Sequence, residues 1–250
     1  MSIGPTIGLF ALGVRPQDIH LPHPRLGLRV ILLVRRVLLR AFERLRADGF
    51  SFSAATEDQI TAALRAVIEN NFRQTGCVPG FNRHTYDFVG RQGQVSNYNF
   101  TRLTKTPDLC FKLRHDDEES CTTISEFESL FIECKPVDAT HPAGSKYCDD
   151  GILRFVEGSY AWAMQEGMML AYARHGRTIA KNLLPDMQEP ARQASLKTTS
   201  LPQALSHPAA TAIAQAEALH ISRHQRGFPW IYGKGPATDI LIYHTWHDCS

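Results

Sequence analysis

The sequence SLFIECKPV, residues 129–137, is the most strand-like run of the chain, and the predicted fold is built around it. It is rich in β-forming residues and ends near a proline. Side chains alternate faces along a strand, so Glu133 and Lys135 project together, about 7 Å apart, while Cys134 points into the core. Burying a carboxylate and an ammonium on one face is costly. The pair therefore favours a site in which Glu133 binds a cation and Lys135 faces a substrate anion or an attacking water.

A second strand is predicted upstream, where DLCFKL, residues 108–113, alternates polar and apolar side chains. If this strand pairs with residues 129–137 across the acidic segment 115–120, Asp108 comes within reach of Glu133. Two carboxylates and the main-chain carbonyl of Cys134 would form an oxygen cage of the kind that Mg²⁺ prefers. Lys135 would then orient water or stabilise the charge developing on a phosphodiester.

These residues resemble the PD-(D/E)XK phosphodiesterase superfamily, the restriction-endonuclease-like nucleases. The matching positions are Pro107, Asp108, Glu133, Cys134 and Lys135. The resemblance implies an α/β fold whose core is a mixed central sheet flanked by helices. Its element order is helix, three-stranded meander, helix and further strand, and residues 56–175 follow that order.

The domain organisation implied is a helical N-terminal region, residues 1–55, before a nuclease-like domain, residues 56–250. Thr56 and Gln59 form a capping-box pattern that predicts a helix start. In many members of the superfamily this first helix supplies a further metal-site carboxylate. Glu57 is the best match, and Asp58 and Glu69 are the alternatives.

The function implied by the resemblance is Mg²⁺-dependent endonucleolytic hydrolysis, with Mn²⁺ as a substitute. We expect DNA as the substrate, and RNA stays open. Compact members often occur in prokaryotic defence or phage conflict. A regulatory or activating protein partner is expected because a free nuclease would be toxic, and a homo-oligomer stays open. The alternative is a catalytically inactive nuclease-fold module that acts as a nucleic-acid-binding or regulatory subunit.

The overall charge is close to balanced, since the 250 residues include 27 Lys and Arg against 25 Asp and Glu. Nucleic-acid binding would therefore need a local basic patch. One lies in a helix predicted for residues 28–48, because residues 25–47 hold seven arginines and a single acid, Glu43. Arg36, Arg40 and Arg44 share one face, which is either a solvated helix surface or a phosphate contact.

Three more residues are candidates for phosphate contact. Ser222, His224 and Arg226 alternate along a strand predicted for residues 221–226, so His224 and Arg226 share a face that is either a solvated edge or lies near the scissile phosphate. Arg154 lies early in a long helix predicted for residues 151–175 and ended by Gly176. The nucleic-acid-binding candidates are Arg154, His224, Arg226, Arg36 and Arg40.

The remaining sequence patterns predict further secondary structure, and the absence of three common motifs argues against an ATPase, a dinucleotide-binding enzyme or a serine hydrolase. The predicted helix 151–175 has a buried side of six residues: Leu153, Val156, Tyr160, Met164, Met168 and Tyr172. Residues 185–210 are rich in Pro, Ser, Ala and Gln and predict a loop-rich or loosely helical insertion, and DILIYHTW, residues 239–246, predicts a strand. The chain has no P-loop, dinucleotide-binding or nucleophile-elbow motif.

The localisation predicted from the sequence is cytoplasmic. The six cysteines include no C-x-x-C pair, which argues against a zinc ribbon and for a reduced compartment. The start of the sequence lacks the basic region and cleavage site of a signal peptide, and no apolar run approaches the length of a membrane span.

Overall fold

The structure is a computed structural model that describes residues 21–91, 93–113, 127–206 and 218–250. The predicted acidic turn, residues 115–120, lies outside the described residues.

Seven strands of the described chain form a single mixed sheet. Its spatial order is β1-β2-β3-β4-β7-β6-β5. The strands β3, β4 and β7 run parallel, and every other neighbouring pair is antiparallel. Their bounds are β1 Tyr86–Gly90, β2 Leu109–Leu113, β3 Leu130–Val137, β4 Glu166–Ala173, β5 Thr198–Ala204, β6 His220–His224 and β7 Ile240–Asp248.

Helical segments flank this sheet, which confirms the predicted α/β class. The α-helices are α1 Leu28–Ala47, α2 Glu57–Val67, α3 Arg73–Thr75, α4 Leu153–Val156, α5 Leu184–Gln188 and α6 Pro190–Ser195. Three π-helical segments, Ile68–Phe72, Ala143–Ile152 and Ile179–Leu183, adjoin them, and a 3-10 turn spans Ile231–Gly233. The predicted capping box is present, because Thr56 and Gln59 exchange both of its hydrogen bonds at the start of α2.

The sheet is buried on both faces, which gives the molecule three layers. One face packs against α1 and α2 through a core that includes Ile132, Leu170 and Tyr172. The other face packs against the Ala143–Ile152 π-helix and α4 through a core that includes Met169 and Ile242. Five apolar residues of α1 recur at helical spacing, which predicts one buried side, and all five are buried in the first core: Ile31, Val34, Leu38, Ala41 and Leu45. Helix α1 therefore packs against the sheet.

The predicted long helix over residues 151–175 is wrong. Helix α4 ends at Val156, and Glu166–Ala173 is the central strand β4, buried along its whole length. A strand covered on both faces is a continuous apolar run, and its spacing does not distinguish it from a buried helix. Gly176 accordingly ends no helix, although its backbone is left-handed, with φ of 67°.

The segment 185–210 contains more regular structure than its composition predicts. Its described part holds most of α5, all of α6 and the strand β5, which pairs with β6 at the edge of the sheet. Pro190 begins α6, where the missing N–H of a proline costs no hydrogen bond. The short helices agree with a loosely helical insertion, and Pro185 and Pro190 lie at helix starts, whereas the strand β5 was not predicted.

The described part of the chain bears on two sequence-based predictions, which concern membrane-spanning helices and the state of the cysteines. None of its helices is both long enough and apolar enough to cross a lipid bilayer. Its five cysteines are all free thiols.

A chain of buried hydrogen bonds joins β6 and β7 to the Ala143–Ile152 segment. The Nδ1 of His224 lies 2.9 Å from the carbonyl oxygen of Leu196, so this nitrogen carries the hydrogen. Ser222 then donates to His224 Nε2 at 2.7 Å and accepts from His244 Nε2 at 2.8 Å. Tyr147 donates to His244 Nδ1 at 3.0 Å. With these donors and acceptors, each of the four hydrogen bonds has one hydrogen, and the imidazoles of His224 and His244 are both neutral.

We predict that acid destabilises the fold through its buried histidines. Burial lowers the pKa of His224 to about 4 and that of His247 to about 3, and it also lowers the pKa of His244. Because the unfolded value is about 6.5, the unfolded state binds more protons, and stability falls as the pH drops from about 6.5 through about 4. Each histidine contributes up to about 1.4 kcal/mol per pH unit. Urea denaturation across this pH range measures the loss.

The variant His224→Gln should lessen this pH dependence, whereas His175→Gln, at an exposed histidine, should leave it unchanged. An unfolding free energy of the wild type that stays constant between about pH 6.5 and about pH 4 would contradict neutral burial.

Candidate active site

The strands β2 and β3 bring Asp108 and Glu133 together as predicted. The antiparallel register pairs Leu109 with Ile132, so one step outward along each strand places Asp108 beside Glu133. Asp108 lies just before β2, and its Oδ2 accepts a hydrogen bond from the backbone N–H of Cys134 at 2.8 Å. This bond holds the Asp108 carboxylate against β3 where the ladder between the two strands ends.

Lys135 lies at the centre of a cluster of three carboxylates. Its Nζ is 2.8 Å from Glu133 Oε1, 3.0 Å from Glu57 Oε1 and 3.7 Å from Asp108 Oδ2. Glu133 is fully buried, and Lys135 is buried apart from a small exposed fraction. Glu57 is the most exposed of the four side chains, at 31 %, so the cluster opens to solvent on its side.

The structure distinguishes among the three carboxylates proposed from α2 and its extension. Glu57, the first residue of α2, reaches Lys135. Asp58 is largely exposed and pairs with Arg91 instead. Glu69 accepts two hydrogen bonds from Arg73 and one from the backbone N–H of Val89, so its oxygens fasten the helix to β1.

Two further side chains hydrogen-bond to the carboxylate of Glu133. Arg154, in α4, donates to Glu133 Oε1 at 2.8 Å, and the buried Tyr160 donates its hydroxyl hydrogen to Oε2. The sequence placed Arg154 among the phosphate contacts and Tyr160 in the packing stripe of a helix. Tyr160 could not be found from local pattern because it precedes β4 in a turn, and only the fold carries it to β3.

Burial and charge act in opposite directions on the ionisation of this cluster. Burial, and then the charge of Asp108, raise the pKa of Glu133 to about 7 against the lowering effect of Lys135 and Arg154. Burial would lower the pKa of Lys135, but the neighbouring carboxylates raise it above its ordinary value. Lys135 is therefore a stable cation near neutral pH, and Glu133 is the member whose charge is easiest to change.

The carboxylate oxygens of this cluster are donors of the kind that a hard divalent cation binds, but the side chains are not arranged around an open metal position. Among the described residues, no group of three or more His, Cys, Asp or Glu side chains is arranged to hold a metal ion. The ammonium of Lys135 occupies the point on which the carboxylates converge. Carboxylate oxygens are the ligands that Mg²⁺ prefers, so the donor atoms of Asp108 and Glu133 fit the predicted ligand role, but a metal ion at this point would have to displace the ammonium of Lys135.

The other predicted site residues have different surroundings. The Cys134 thiol is buried on the opposite face of β3, so only its main-chain carbonyl is available for the predicted metal contact. Arg36 and Arg40 are exposed on α1.

The predicted phosphate contacts of His224 and Arg226 conflict with their burial. His224 is fully buried in the hydrogen-bonded chain described above. Arg226 donates to the carbonyl oxygens of Thr238 and Trp162 at 2.7 and 3.0 Å. Buried polar groups need partners within the protein, and these two side chains use their hydrogen bonds to hold loops against the sheet.

Comparison with known proteins does not assign this site. No protein-family model matches the chain, and no curated protein or solved structure matches it significantly. A function for this chain must therefore be argued from the geometry of its own residues.

We predict that Lys135 stabilises the metal-free fold. The variant Lys135→Ala leaves three carboxylates facing one another without their shared cation, and removing one partner of a buried ion pair costs about 3 kcal/mol or more. Urea denaturation in EDTA measures the change in unfolding free energy. Lys146→Ala is the matched control, because its pair with Asp150 is exposed and should be worth less than about 1 kcal/mol. Equal stabilities of the two variants would contradict this account of the cluster.

Proposed function

We propose that this protein is a divalent-metal-dependent nuclease of the restriction-endonuclease-like type. The observation that carries the proposal is the convergence of Asp108, Glu133 and Lys135, two carboxylates and a lysine from neighbouring strands, on one point. Glu57 reaches the same point from a third element, α2. The resemblance had picked these four residues from separate stretches of sequence.

The arrangement of secondary structure supports the same proposal. The described order is α2, then the antiparallel meander β1-β2-β3, then the helical segment that includes α4, then β4 parallel to β3. The resemblance implies that order for a restriction-endonuclease-like core, with the acids and the lysine at the second and third strands.

Each residue has a definite role in the proposed reaction. Asp108 and Glu133 would hold Mg²⁺ with the carbonyl of Cys134, and Glu57 would serve as an outer or second-metal ligand. When bound, the ion supplies charge neutralisation and acidifies a coordinated water. Lys135 orients the attacking water and stabilises the negative charge that develops on the phosphodiester.

Arg154 and Tyr160 extend this assignment. The hydroxyl of Tyr160 fixes one oxygen of Glu133, which sets the direction in which the other oxygen points. Arg154 contacts that second oxygen and is partly exposed. Its guanidinium group could therefore leave Glu133 and hydrogen-bond to a phosphate of the substrate instead. DNA as the substrate, a setting in prokaryotic defence and a regulatory protein partner remain predictions.

A second candidate function is a nucleic-acid-binding or regulatory module that has lost hydrolysis. The observation that favours it is the full engagement of Glu133, whose two oxygens already contact Lys135, Arg154 and Tyr160. A cation must displace at least one of these partners. Retention of the lysine and of all three carboxylates favours the enzyme.

We predict that the wild type cuts nucleic acid only in the presence of a divalent metal. Purified protein is incubated with plasmid DNA and with RNA, in Mg²⁺, in Mn²⁺ and in EDTA, and products are resolved on gels. Lys135→Ala should lower the rate of cutting by at least about 100-fold, because the negative charge that develops on the phosphodiester loses its stabilising cation. Lys181→Ala, which removes an exposed lysine, is the control and should cut like the wild type.

Absence of cutting with either nucleic acid and either metal would reject the enzyme and favour the binding module. Cutting that persists in Lys135→Ala would show that the activity belongs to another site or to a contaminant.

We predict a graded loss of metal binding across the cluster. Metal that binds the folded state raises the melting temperature by mass action, by the equivalent of about 2.7 kcal/mol at one hundred times Kd. Glu133→Ala should lose the shift because a direct ligand is gone. Lys135→Ala should keep it, since an ammonium repels the metal, and Glu57→Ala should fall between them. Calorimetric titration of Mg²⁺ or Mn²⁺ checks the same order of affinities.

The control for this series is Glu189→Ala, at an exposed acid that should not alter the shift. If Glu133→Ala binds metal as tightly as the wild type, the ligand assignment is wrong.

A further inference from the structure

A groove lies between α1 and the turn that follows α3. Arg36, Arg40 and Arg44 line one side, and Cys77, Val78 and Pro79 line the other. Its volume is about 640 Å³, and Phe72 contributes to its apolar lining. None of the residues that form the carboxylate cluster lines this groove.

The groove carries a local excess of positive charge. Glu43 is its single acidic lining residue, set against three arginines. Arg40 contacts Glu43 at 2.8 Å, and Arg44 contacts Asp48 at 2.8 Å, but all four side chains are about half exposed. Exposed pairs of this kind are weak and exchange readily with other ions. The guanidinium groups are therefore available to an anionic ligand.

The spacing of the arginines suits an extended ligand. They recur every fourth residue of α1, so each lies roughly 6 Å further along the helix axis, and the row spans about 12 Å. One strand of B-form DNA carries a phosphate roughly every 3.4 Å along the duplex axis, so a row of this length is long enough to face several phosphates. A single compact anion would reach only one or two of these guanidinium groups.

The groove is also well separated from the carboxylate cluster. Phe72, in its lining, ends the π-helical extension of α2, whereas Glu57 begins α2. Fifteen residues of helical rise correspond to roughly 22 Å. A ligand that contacts both places must be a polymer several nucleotides long.

We propose that this arginine groove binds backbone phosphates of a nucleic acid, at a contact distinct from the catalytic cluster. The identity of the ligand as nucleic acid rests on the proposed function. Such a contact positions a long substrate without reading its sequence, because phosphates carry no base information. Cutting of long substrates therefore depends on the groove, and cutting of substrates shorter than about six nucleotides does not.

The test measures binding of a fluorescent 30-base-pair duplex DNA by anisotropy in EDTA, over a series of salt concentrations. Replacing Arg36, Arg40 and Arg44 together with glutamine should weaken binding by about tenfold or more and reduce the slope of log K against log salt by about 2 to 3. Replacing the same three with lysine should keep most of the affinity, because lysine contacts phosphate as a point charge. A melting temperature like that of the wild type checks that each variant is folded.

A matched control removes three exposed cations that lie outside α1 and outside the groove, through Arg102→Gln, Lys181→Gln and Arg223→Gln together. This control variant loses the same three positive charges as the groove variant. If both variants weaken DNA binding equally, the net charge of the protein explains the binding and the proposal is overturned. Absence of duplex binding by the wild type would also overturn it. So would tight binding of a mononucleotide that depends on Arg36, Arg40 and Arg44, because the occupant would then be a small ligand. Binding through the groove without cutting of DNA or RNA in either Mg²⁺ or Mn²⁺ would reject the nuclease and leave the proposal for the groove standing.

Discussion

The ammonium group of Lys135 ties three separate parts of the chain together. It contacts Glu133 on its own strand, Asp108 before β2 and Glu57 at the start of α2. Three carboxylates at this separation would repel one another, and burial would make each charge costly. One cation offsets both penalties, so the position of α2 on the sheet and the end of the β2-β3 ladder depend on it.

The same interaction explains why a polar cluster persists inside a packed molecule. The strand β3 is covered on both faces, and the buried Glu133 is held by Lys135, Arg154 and Tyr160. A pair of apolar residues would pack there at lower cost in desolvation. Local conflict between stability and polar chemistry is typical of functional sites, which is consistent with the proposed role of the cluster.

Local pattern was informative wherever a residue's role depends on its immediate neighbours in the chain. The capping box at Thr56, the buried stripe of α1 and the strand β3 all follow from spacing that the structure retains. Pattern failed for Glu166–Ala173, because a central parallel strand and a buried helix are both continuous apolar runs. It failed again for His224 and Arg226, since alternation predicts a shared face but not whether that face meets solvent.

Sequence pattern predicted the α/β class, the strand that carries Glu133 and Lys135, and Asp108 as their neighbour, whereas Glu57 was nominated by the resemblance to the PD-(D/E)XK superfamily. The packing of the layers determines that Glu57, rather than Asp58 or Glu69, reaches Lys135, and that Tyr160 hydrogen-bonds Glu133. The two kinds of feature differ in the range over which their causes act. Capping and side-chain alternation act within a few residues and can be read along the chain. Contacts among β2, β3, α2 and the turn before β4 depend on how the three layers pack.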